Sequence, residues 1–184
     1  NPGPSAISRR IFAKARREGH KLYAKIQINN SWECSAAPSL PVYDLVYEHL
    51  DNLRAEGVGD YMLTWTLGGY PSEMMRLVND YVGQAENFSL DEWYKSRFGE
   101  CFEEVKQAVS CFSRGFREFP FSIESLYYSP KTLGVANLWS LEQSEKQSTM
   151  VCFSYDDYEN WIKPYPYEIY VSQYEKLLQS CEKA

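Results

Sequence analysis

The strongest constraint on this fold is a change of hydrophobic period near residue 21. Before it, residues 5–18 place Ile7, Ile11, Phe12 and Ala15 on one side of a helix, and Gly19 supplies the stop. After it, residues 21–29 alternate, with Leu22, Ala24, Ile26 and Ile28 on one side and Tyr23, Lys25, Gln27 and Asn29 on the other. A period of two is a strand. Helical spacing then returns over residues 42–56 through Val42, Leu45, Val46, His49, Leu50 and Leu53, and Gly57 closes that helix. "DYMLTWT" at 60–66 reads as a second strand, and a third helix is expected over 73–82 with Ser72 as its cap. Helix, strand, helix, strand, helix with short links predicts parallel α/β units, in which chemistry gathers where the strands end.

Both strands end in loops loaded with polar and aromatic groups: "NNSWE" after the first and "LGGYPS" after the second. Near residue 85 the pattern becomes helical, dividing the chain into 1–85 and 86–184. Ser89-x-x-Glu92 has the form of a capping box. Residues 100–117 form a longer helix with Phe102, Val105, Val109, Phe112 and Phe116 inward, "STMVCFSY" is a strand or an extended strap, and a final helix starts near Tyr167. Two or three parallel strands do not make a stable sheet alone, because parallel sheets need more strands and cover on both faces. The expectation is a carboxyl-terminal piece of a larger protein, with self-assembly into a homo-oligomer as the alternative.

Composition narrows the function. A chain of 184 residues suits one domain, or one domain with an appendage, and is long enough for a sizeable core. A net charge of −6 argues against nucleic acid, which requires a basic surface to displace counterions. The basic run "SRRIFAKARREGHK" reads as the solvated side of the first helix. The aromatic content of 16% suits thick packing layers, and it also suits sugars, whose apolar faces stack on rings. Five cysteines, at 34, 101, 111, 152 and 181, contain no CxxC spacing, which argues against zinc, a redox pair or a disulfide framework. Reduced thiols favour a cytoplasmic setting. No apolar run is long enough for a membrane span and no signal peptide is visible; the chain opens on "NPGPS" without an initiator Met.

The segments "AKIQINNSWECS", "LPVYDLVYEHLDNL", "LTWTLGGYPS", "REFPF" and "FSYDDYENW" together resemble a bacterial family of glycoside hydrolase-like proteins. The similarity covers most of this chain and corresponds to the last part of the family's length. It implies the last β/α units of a (β/α)8 TIM-like barrel over 1–85, followed by a mostly helical region over 86–184. On that alignment the strand at 21–29 is the seventh of the barrel and 60–66 the eighth. The resemblance implies a carboxylate nucleophile at Glu33 and a sugar-flooring ring at Trp65. Glu33 lies a few residues past its strand, and the Cys that follows it belongs to no recognised signature.

Glycoside hydrolysis uses two carboxyl groups, one protonating the leaving oxygen and one attacking C1 or activating water. Glu33 is one candidate, and the other is expected upstream of this chain. Asn29 and Asn30 are candidate hydrogen-bonding groups for sugar hydroxyls, and Trp32, Trp65 and Tyr70 are candidate stacking surfaces for a carbohydrate substrate. Each also has a plain structural role: a loop cap for Glu33, core packing for the tryptophans, the start of a helix for Tyr70. A carbohydrate-binding or scaffold module without catalysis is the competing reading. Gly68 and Gly69 lack the Lys and the spacing of a phosphate loop. Asp44 and Glu48 fall on a helix exterior, the Asp156–Asp157 pair reads as a solvated turn, and His49 reads as a satisfied core histidine. Neither histidine stands in a triad motif, and no acid or histidine cluster has metal-ligand spacing, so no cofactor or metal is expected.

Overall fold

The alternation after residue 21 is realised as β1 (Leu22–Ile26), which pairs in parallel with β2 (Val58–Leu63). The computed structural model describes residues 2–28, 40–63, 71–84, 87–122, 124–125, 159 and 162–184. Between the strands lies helix α2 (Tyr43–Ala55), and α1 (Ala6–Arg17) precedes them. Ser5 caps α1, its side chain accepting the Ser8 N–H at 3.1 Å. Gly57 adopts φ +81° in the turn from α2 into β2, a conformation that costs glycine little. Then come α3 (Glu73–Gln84), α4 (Leu90–Phe98), a 3-10 turn at Gly99–Cys101, α5 (Phe102–Phe116) and α6 (Tyr167–Cys181). Ser72 and Ser89 cap α3 and α4 by accepting the N–H groups of Met75 and Glu92.

The strand register contains one irregularity. Leu22 pairs with Val58 and Tyr23 with Asp60, so Gly59 is passed over. Strict alternation from Val58 would send Asp60 and Met62 inward with it. The skipped residue instead turns Tyr61 and Leu63 toward the core and leaves Asp60 and Met62 exposed.

The expected end of a TIM-like barrel is not what the chain builds. Among the described residues the only sheet has two strands, and helices dominate. In a barrel each of these strands would have further strands beside it and both faces covered. Here the helices gather on one face. Leu22, Ala24, Ile26, Ile28 and Val58 join Leu50 and Leu53 of α2, Leu77 and Val78 of α3, Trp93 and Tyr94 of α4 and Val109 of α5 in one core. The molecule is a mostly helical domain organised on a single βαβ unit. The expected second strand starts earlier than its sequence pattern suggests: β2 (Val58–Leu63) begins two residues before Asp60, and 64–66 lie outside the described residues. The stretch "STMVCFSY" lies outside them as well.

Helix α1 corrects a second expectation. Phe12 and Ala15 pack on the core, but Ile7 and Ile11 are 62% and 60% exposed. The helix touches the domain along a narrow stripe, and its contacts are mainly polar. Arg9 pairs with Glu56 at 2.6 Å, Arg16 bonds the Glu56 carbonyl, and the preceding Gly3 N–H donates to His49 Nδ1 at 2.7 Å. His49 is thus a satisfied, half-buried histidine, and burial holds its pKa below the usual value.

Candidate functional site

A parallel pair brings both strand ends to one edge. Ile26 pairs with Leu63, so the chain leaves β1 and β2 side by side. The sequence that follows each strand carries the candidate groups: Asn29, Asn30, Trp32 and Glu33 after β1, Trp65 and Tyr70 after β2. All six lie outside the described residues. The structure therefore brings their anchors together at one sheet end and gives no geometry for the side chains themselves.

The helices that receive the chain from this edge use their first turns for internal bonds. At the start of α2, Asp44 accepts the Tyr94 hydroxyl at 2.8 Å and the Ser110 hydroxyl at 2.6 Å. Tyr94 is fully buried, and burial followed by the Asp44 charge holds its hydroxyl far above the usual tyrosine range, so it remains a donor. At the start of α3, Glu73 receives Arg97 in a two-pronged pair at 2.8 and 2.9 Å. Carboxylates therefore already answer the positive ends of both helices, a poor arrangement for phosphate.

Asp44 is the residue that sequence reading placed on a helix exterior as bland. It is instead the joint of α2, α4 and α5. An acid in a helix's first turn was the available signal. Its partners stand 50 and 66 residues away in sequence, and no local pattern identifies them. Ser110 has its carboxylate neighbour but no histidine: His20 lies near Glu18 at 3.7 Å and His49 is bonded to the Gly3 N–H. A serine triad has no support among the described residues, and no group there has the make-up of a metal site.

Tyr23, Ala24, Lys25, Asp60, Tyr61 and Met62 line an open groove of about 610 Å³ along the two strands. Tyr23 and Met62 are 64% and 65% exposed, and the register sets Tyr23 against Asp60 and Lys25 against Met62. The groove thus combines a flat ring, a carboxylate, an ammonium and a thioether. The ring is suited to stacking, and the charged groups are suited to hydroxyl recognition. Sequence reading placed Tyr23 and Lys25 on the polar side of the first strand and assigned Asp60 and Met62 only to the second strand.

Asp156 and Asp157 lie outside the described residues. Among the described residues, no helix is long and apolar enough to cross a membrane. Comparison of the chain with family models, curated proteins and solved structures finds no match.

Proposed function

We propose that this protein recognises carbohydrate at the carboxyl end and outer face of its two-stranded sheet. The reading is carried by one observation: the parallel pairing sets Ile26 beside Leu63. Two sequence segments, one with amide, carboxylate and aromatic groups and one with two aromatic rings, therefore start from one edge. The groove of Tyr23 and Asp60 adds an exposed ring and a hydrogen-bond acceptor on the same sheet. Sugars are bound by this combination, rings against their apolar faces and fixed polar groups at their hydroxyls.

Glycoside hydrolysis is a second reading, supported by the position of Glu33 in the sequence just past β1. It needs a second carboxylate about 5–9.5 Å from the first. One experiment separates the two. The protein is titrated against a panel of oligosaccharides by calorimetry, and the same panel is assayed for reducing-end release. Binding that weakens about tenfold or more in Trp65→Ala and Tyr23→Ala, with no turnover, supports recognition alone. Turnover that collapses in Glu33→Gln while binding persists supports hydrolysis. Absence of both binding and turnover across the panel overturns the carbohydrate reading.

A further inference from the structure

Two cysteines far apart in sequence meet where the last helix packs on α5. Cys111 is buried on α5, and Cys181 is the final, half-buried residue of α6. We propose that Cys111 and Cys181 form a reversible oxidation site, an intrachain disulfide that fastens α6 to α5. This assignment is independent of the carbohydrate reading.

The contacts around Cys111 bracket Cys181 from both sides. The Ser180 hydroxyl donates to the Cys111 carbonyl at 2.9 Å, and the Cys111 thiol lies 3.6 Å from the Lys183 carbonyl. Gly115, one turn after Cys111 on the same face of α5, is what lets the helices close up. A Cβ at Gly115 would stand 2.9 Å from the Leu177 carbonyl oxygen and 3.4 Å from the Cys181 sulfur. The Cys181 sulfur thus sits on the Cys111–Gly115 stripe. Burial and then the neighbouring Cys111 raise the Cys181 pKa, as two adjacent thiols should. Bond formation needs Cβ atoms about 3.5–4.5 Å apart. The last turn of α6 must settle toward Cys111, and helix ends are where such movement costs least.

Arg114 meets the same sulfur, its guanidinium Nη2 donating to Cys111 Sγ at 2.9 Å. With a peroxide as oxidant, Cys181, the more exposed of the two, loses its proton to solvent and attacks a peroxide oxygen. The O–O bond breaks, and a sulfenic acid and water result. The Cys111 thiolate then attacks the Cys181 sulfur, forming the S–S bond and expelling hydroxide, which takes up a proton and leaves as water. Each sulfur gives up one electron, and the pair reduces the peroxide to two waters.

The test uses the full chain. Reduced protein is treated with hydrogen peroxide, remaining thiols are alkylated, and the digest is mapped by mass spectrometry. The expected product is a peptide pair joining Cys111 to Cys181 that dithiothreitol separates, with Tm raised by roughly 5–10 °C over the reduced protein. Cys181→Ser, a conservative change at a helix terminus, should remove both the cross-link and the shift. Recovery of Cys111 and Cys181 unlinked, linkage of either to another cysteine, or a Tm shift that persists in Cys181→Ser would each overturn the proposal.

Discussion

The two faces of the sheet are made by the same eleven strand residues and have opposite fates. The inner face, with Leu22, Ala24, Ile26 and Val58 almost wholly buried, joins one core with residues of α2, α3, α4 and α5. The outer face presents Tyr23, Lys25, Asp60 and Met62 to a groove. On the proposed reading, stability and recognition fall to alternate residues of one strand. A substitution at position 24 and one at position 23 should therefore act on different properties, although they are neighbours in the chain.

The comparison can be broken most forcefully from the inside. Leu77 is fully buried beneath the sheet, and Leu77→Ala should cost about 2–5 kcal/mol in urea unfolding, from lost transfer energy and the cavity left behind. A loss below about 1 kcal/mol would mean that the inner face is not the principal core. Next in size is Asp44→Ala, which strands the buried Tyr94 hydroxyl and removes the Ser110 acceptor. A loss of about 1–3 kcal/mol is expected, and Tyr94→Phe in the Asp44→Ala background should recover part of it.

A pH-dependent loss comes third. Burial holds the folded-state pKa of His49 below 6.5, so the unfolded chain binds that proton more readily. The stability this histidine contributes is complete above its ordinary value and is lost as pH falls through the folded-state pKa. Urea midpoints measured from about pH 7.5 to about pH 5 should decline, and His49→Gln should flatten that part of the profile. The smallest effect belongs to the outer face. Tyr23→Ala should change stability by no more than about 0.5 kcal/mol while weakening oligosaccharide binding. A larger destabilisation would show that the outer face is part of the core.

Local structure was legible wherever one stretch of chain contained its own cause. Ser5, Ser72 and Ser89 cap the helices that their positions announce, and Gly57 ends α2. The parallel order of β1 and β2 followed from the helix between them. What failed was decided by distant residues. The barrel was implied by the family resemblance, whereas the alternation of helix and strand by itself is equally that of one βαβ unit with helices stacked on one side. Ile7 and Ile11 share a helical face with Phe12 and Ala15, yet that face is wider than the contact, so two of its residues stay in solvent. Asp44 was misread because Tyr94 and Ser110 are remote in sequence. Cys111 and Cys181 escaped a reading based on CxxC spacing, because helix packing rather than sequence proximity brings them together. The candidate site divides the same way. Its strand-end location is supported by the parallel register, whereas Glu33, Asn29, Asn30, Trp32, Trp65 and Tyr70 lie outside the described residues.

The passed-over residue at Gly59 sets the phase of everything after it in β2. The space where a side chain would stand is open, so exchanging this glycine for alanine should be tolerated. Deleting it should also be tolerated, because Val58 and Asp60 would then be consecutive and would keep their partners, the consecutive Leu22 and Tyr23. What would invert the strand is taking Gly59 into the ladder: Asp60 and Met62 would turn toward the helices and Tyr61 and Leu63 out to water. The skip itself, more than the residue that fills it, decides which side of the strand is inside.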